Sequence, residues 1–198
     1  MMATIDWPES LVPAKATWGL QSNTESFTSP LNRTVQTVER PGARWKANLE
    51  FPPLDMIQAG RLQAFLASLG GMAGRFTLWP HGRPGQSSFA PLVNGAMTDY
   101  RILPTRSWPA STLVLRAGDY VAVGSELKMV TADVTSTAGG LASVPVAPPF
   151  RNAPADGSAL TLNKPRATMM LSSDEFAIAT VPGRIAEAVV ISAVEVLL

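Results

Sequence analysis

The chain has 198 residues, 46% of them hydrophobic, which is enough for a sizeable core in one large domain or two small ones. Only 16% are charged and the formal net charge is +1, with Lys and Arg scattered singly, which argues against a nucleic-acid binder with a basic face. Cysteine is absent; this excludes disulfides, thiolate nucleophiles and Cys-based metal sites, and leaves the compartment open.

The opening MMATIDWPESLVPAKATW is broken by proline and charge before an apolar run develops, so no secretory signal is expected. The chain is read as a soluble protein or part of a soluble assembly. The 17 Pro and 15 Gly are spread along its length, with short β-branched runs between them. That punctuation predicts an all-β protein with many turns. Thr34, Gln36, Val38 and Arg40 alternate with Val35, Thr37 and Glu39, as in a strand. RWKANLEF (44–51) repeats the pattern, with Trp45, Ala47, Leu49 and Phe51 on one face. Between the two, Pro41–Gly42 reads as a hairpin turn. PLDMIQAGRLQAFLASLGG then breaks the β rhythm. Its apolar residues at 54, 57, 62, 65, 66 and 69 predict one helical stripe. Pro53 suits the start, Asp55 complements the first-turn dipole, and Gly70–Gly71 supplies a stop. RFTLWP (75–80) is a strand and HGRPGQSS (81–88) a loop.

From Leu92 the pattern predicts a second group of strands. VNGAMTDYRILPTRSWP offers a strand, a turn and a strand. In AGDYVAVGSELKMVTADVTS (117–136), Tyr120, Ala122 and Gly124 alternate with Val121 and Val123. Leu127, Met129 and Thr131 then alternate with Lys128, Val130 and Ala132, so a hairpin with mixed faces is expected around 124–126. TSTAGG (135–140) is a turn and LASVPV the next strand. These strands predict a small barrel, 91–165, inserted into a discontinuous domain of residues 1–90 and 166–198. The alternating tail RIAEAVVISAVEVLL needs a partner and is expected to return to the N-terminal sheet. It is far shorter than the roughly 20 apolar residues of a membrane span, so no membrane insertion is expected.

Residue chemistry offers little for catalysis. His81 is the one histidine, in a turn-rich loop, and is expected to be exposed. GxSxG and HExxH are absent. Asp119, Glu126 and Asp133 have two readings, as turn caps on a solvated rim or as a carboxylate pair of glycosidase type. SSDE (172–175) and ADG (155–157) lack calcium-loop spacing and read as turns. Trp7, Trp18, Trp45, Trp79 and Trp108 are dispersed, which favours core or interface use over a sugar platform. The methionines are expected to fill core gaps. No catalytic, cofactor-binding or metal-ligating residue is assigned, no cofactor is expected, and the chain is read as not an enzyme.

The order of phrases carries a resemblance. SNTESFTSPLNRTVQTVERPGARWKANLEFPPL is followed by QAGRLQAFLASLGGMAGRFTLW. LRAGDYVAVGSELKMVTADVTS and APPFRNAPADGSALTLNKPRATMML come next, and VISAVEVLL closes the chain. This resembles the distal tail protein family of long, non-contractile-tailed bacteriophages. The resemblance implies a β-barrel or sandwich with one helix and an attached smaller barrel, often OB-like or carbohydrate-binding-like. It implies a ring, typically a hexamer, at the virion tail tip, assembled in the bacterial host cytoplasm. Its partners would be copies of itself, the tail tube protein and the baseplate hub protein, with no sequence-specific nucleic acid. The family's second barrel is commonly an appendage, whereas here it is an insertion, which separates it from any inherited receptor-binding role. A carbohydrate-binding module for host attachment, a carboxylate-pair glycan hydrolase, and a tail-completion or adaptor protein higher in the tail are the other readings.

Overall fold

The computed structural model describes residues 4–86, 88–179 and 187–197. It is an all-β protein with a single α-helix, built on two six-stranded sheets. In chain order the strands are β1 (Thr4–Asp6), β2 (Lys15–Gln21), β3 (Thr24–Thr28), β4 (Val35–Glu39), β5 (Arg44–Phe51) and, after helix α1 (Met56–Leu69), β6 (Arg75–Leu78). The second group runs β7 (Leu92–Val93), β8 (Ile102–Arg106), β9 (Leu113–Leu115), β10 (Tyr120–Val123), β11 (Glu126–Val130), β12 (Val134–Thr135), β13 (Ala142–Ala147) and β14 (Leu160–Thr161). β15 (Ala167–Leu171) and β16 (Val189–Glu195) close the chain.

The first sheet has the order β1-β6-β15-β16-β5-β2. β5 alternates as its sequence requires: Trp45, Ala47, Leu49 and Phe51 are buried, while Lys46 and Asn48 face solvent. The C-terminal strand β16 lies inside this sheet, antiparallel to both β5 and β15. α1 packs Leu62, Phe65, Leu66 and Leu69 on the same core. Each fully buried leucine there contributes roughly 1.5–3 kcal/mol. The Asp55 carboxylate caps the helix by accepting from the Gln58 N–H at 2.7 Å, and Gly70 ends it at φ 61°, a left-handed value that suits glycine. Ile57, expected on the buried stripe, is exposed; Leu54 is buried as expected, and Ala59 joins the core side. Ile57 lies in the first turn, before the helix has run under the sheet.

The second sheet has the order β14-β10-β11-β13-β8-β7. Its end strands meet through a bridge from Leu92 to Ala159 and a bond from the Leu160 N–H to the Pro91 carbonyl, so it is a nearly closed barrel. The β9–β12 ribbon contributes Val114, Leu115 and Val134 to its core.

The β10–β11 hairpin is a wall shared by both cores. Ala122 and Leu127 are buried in the first core, with Tyr120 and Met129 packed against it; Val121, Val123 and Val130 belong to the second. This is why its alternation shows no solvent-facing side: both sides of the ribbon are covered, including the Glu126 and Lys128 side chains on β11. The aromatic rings of Trp18, Trp45 and Tyr120 meet at this seam, and the Trp45 indole N–H donates to the Leu127 carbonyl at 2.8 Å.

One expected turn is corrected. Pro41–Gly42 does not join a paired hairpin: β4 pairs with β3, and β5 with β2 and β16. The β4 strand has left the sheet by that point, and Pro41–Gly42 is the bend by which the chain re-enters it.

Candidate assembly surface

Among the described residues, β3 and β4 form a ribbon of two strands that pair only with each other. Every residue of both strands is exposed. At five residues each, the strands span about 17 Å. The sequence explains why they form a ribbon: TESFT and VQTVE are rich in threonine, valine and aromatic residues, and the tip SPLNR makes the turn. At the tip the Ser29 N–H donates to the Thr34 carbonyl at 2.9 Å, and the Asn32 side chain accepts from the Thr34 N–H and hydroxyl. Arg33 takes φ 56° to close the loop.

The two faces of the ribbon differ. The register places Glu25 opposite Val38 and Phe27 opposite Gln36 on one face. Phe27 is 64% exposed there and Val38 is exposed beside it, next to the Glu25–Arg40 ion pair at 2.8 Å. The other face carries Thr24, Ser26, Thr28, Val35, Thr37 and Glu39. Leu31 at the tip is 95% exposed. An isolated two-stranded ribbon is marginal in water, and free strand edges are usually blunted with lysine or proline. Neither β3 nor β4 contains either residue. The ribbon therefore offers open edges together with two exposed apolar side chains, Phe27 and Val38, on an otherwise polar face.

At its foot the ribbon joins the body. Glu39 pairs with Arg101, tying β4 to the second barrel. Beside this pair lies a cleft of about 680 Å³, walled by Pro41, Tyr100, Pro149, Phe150, Arg151 and Leu197.

The residues singled out in the sequence fall elsewhere. Asp119 and Asp133 serve one turn: their carboxylates accept from the Arg116 and Ala117 N–H groups at 2.8 and 2.9 Å. Glu126 sits at the opposite end of the β10–β11 hairpin, buried against Lys128 at 2.7 Å. The structure thus brings Asp119 and Asp133 to one turn, each engaged by a backbone N–H, and leaves Glu126 away from them, so the three do not share one rim. Asp156 accepts from the Gly95 N–H and from Arg106, and Asp174 from the Met72 N–H, so both turn segments act as braces. Among the described residues no three His, Asp or Glu side chains are grouped to hold a metal ion.

His81 is corrected from exposed to half-buried. Its ring stacks on Trp79 at 4.4 Å, and its Nδ1 is buried without a hydrogen-bond partner. Burial, with the nearby Lys164 charge, pushes its pKa below the usual imidazole value. Trp7, Trp45 and Trp108 are core residues, and Trp79 is covered by His81 and by the Lys164 ammonium 5.4 Å away. Met97 and Met169 are buried, but Met56 and Met72 are exposed, so gap-filling describes only part of the methionine set. The feature that sequence reading missed is the free ribbon. Its signal was present in the exposed alternation of 24–39, but strand pairing assigned β4 to the wrong neighbour. No protein-family model matches the chain, and no curated protein matches it.

Proposed function

We propose that this chain is a structural subunit of a bacteriophage tail tip, forming a ring that joins the tail tube to the baseplate hub. The observation that carries the reading is the free β3–β4 ribbon, together with the phrase order that resembles distal tail proteins. In a closed ring each copy meets its neighbours through two different patches. A ribbon with two open edges and the exposed Phe27 and Val38 supplies one such patch, and a neighbour's sheet edge covers it. The first sheet and α1 form the body of the ring, and the second barrel is carried on its side. The subunit works as a scaffold rather than as an enzyme, in a hexamer bounded by tube and hub proteins. The tryptophans favour this over a sugar platform, since the described rings pack into cores, onto the seam or under His81 and Lys164.

A photo-crosslinking residue at Phe27 tests the contact. The expected product is a covalent ladder of this chain with itself, lost when the crosslinker is moved to the buried Leu49. Crosslinks confined to a different protein, or none at high concentration and on the particle, contradict self-association through the ribbon.

A further inference from the structure

We propose that four charges where the two sheets meet, the buried Glu126, Lys128 and Glu195 and the half-buried Arg151, form a directional lock. It fixes the orientation of the second barrel on the first sheet, and it opens on acidification before either sheet unfolds. This inference is independent of the tail-tip reading.

The four side chains come from both halves of the fold. Glu126 and Lys128 lie on β11 and Arg151 follows β13, all in the second barrel; Glu195 ends β16 in the first sheet. The Lys128 side chain is 0% exposed and that of Glu195 1%. Their polar atoms are matched almost completely. The Lys128 ammonium donates to Glu126 at 2.7 Å and to the Pro149 carbonyl at 3.0 Å, and lies 4.8 Å over the Phe150 ring. Glu126 also accepts from the Arg151 and Asn152 N–H groups at 3.1 and 3.3 Å. Glu195 accepts from the Arg151 guanidinium at 3.2 Å and from the Trp45 N–H at 2.9 Å. The one orphan is Arg151 Nε, which is 3.9 Å from Glu126 and without a hydrogen bond. Two carboxylates thus balance two cations.

The rest of the seam is apolar, with Ala122 and Leu127 buried beside the Trp18, Trp45 and Tyr120 rings. Apolar burial holds surfaces together but is non-directional. A buried ion pair adds little net stability over an apolar isostere, while its hydrogen bonds are satisfied in one arrangement only. The division of labour follows: the aromatic seam supplies adhesion and the charges supply orientation.

Acid reaches the cluster through the cleft at the ribbon's foot, because Arg151 lines it. The other charged groups facing that cleft are already matched, Glu39 with Arg101 and Arg40 with Glu25. Protonating Glu126 therefore leaves the Lys128 ammonium without its carboxylate partner and the Arg151 guanidinium with Glu195 alone. Burial pushes the Glu126 carboxyl up, but hydrogen bonds from Lys128 and the Arg151 N–H outweigh it and hold it below the ordinary 4.5. Burial also pushes the Lys128 ammonium below its ordinary value, against the pull of Glu126, so the pair depends on both partners; its carboxylate side is ionised above the ordinary 4.5 and is lost as pH falls below it through the folded value.

The chain has no cysteine, so spin labels can be placed cleanly at Thr17→Cys on the first sheet and Ala138→Cys on the second barrel. The distance between them is read by pulsed electron paramagnetic resonance on the full chain. The expected result is one narrow distance at pH 7 that broadens as pH falls below 4.5, while the far-ultraviolet β signal persists. The double variant Glu126→Gln, Lys128→Met is expected to broaden it already at pH 7. A distance that stays narrow until the β signal itself is lost overturns the proposal. So does a folded double variant as narrow as the parent. If the double variant does not fold, the acid titration of the parent decides alone.

Discussion

Gly60 sits in the middle of α1, and a Cβ added there would meet no atom within 4 Å. Replacing it with alanine relieves the entropy cost of glycine in a helix, and Gly60→Ala is expected to raise stability by about 1 kcal/mol in urea denaturation. Asp55→Ala acts in the opposite sense. It removes the acceptor of the Gln58 N–H, and is expected to cost about 1 kcal/mol in the same assay. Glu126 was legible from sequence only as a hairpin-turn carboxylate. Its burial depends on Arg151, which comes from another loop, and on the β16 end packed above it. Alternation within a strand names the face a residue takes, not whether a distant partner will cover that face. His81 was misjudged for a related reason: the turn signals around it were correct, but Trp79 folds over the loop.

β16 lies between β15 and β5 in the first sheet, although it ends the chain. Ending the protein at Ala188 removes Ile191 and Ala193 from the core and splits the sheet, leaving β15 and β5 each with one open edge. The expected outcome is loss of cooperative unfolding and of the near-ultraviolet tryptophan signal, measured by circular dichroism. The free ribbon behaves differently. Phe27→Ser with Val38→Ser changes exposed side chains only, so the melting temperature is expected to hold, with less than about 0.5 kcal/mol of change. Self-association in sedimentation velocity at high concentration is expected to weaken. Strand β5, the β10–β11 hairpin and helix α1 were all legible, because each carries its own period over enough residues. The partner of β4 was not, because pairing is settled by long-range register. The ribbon left the sheet while the local Pro41–Gly42 signal pointed to a neighbour along the chain.

The two sheets share one wall, and the chain passes from the first to the second and back to complete it. That arrangement gives a compact body from which one ribbon projects with its strands unpartnered by any other element described. A body of this kind gains most from assembly when many weak, identical contacts close on themselves, since effective concentration then replaces affinity. On the proposed tail-tip reading, DNA would pass the ring, and the near-neutral formal charge of +1 is compatible with that, since strong positive charge would hold the polymer. Electron microscopy of the assembled phage particle, with this chain located by fitted density, is the most direct examination of the tail-tip reading. The expected image is a closed ring around the tail axis between tube and hub, with the 24–39 ribbon of each copy lying against its neighbour. Isolated copies on peripheral fibres, with no ring on the axis, would contradict it.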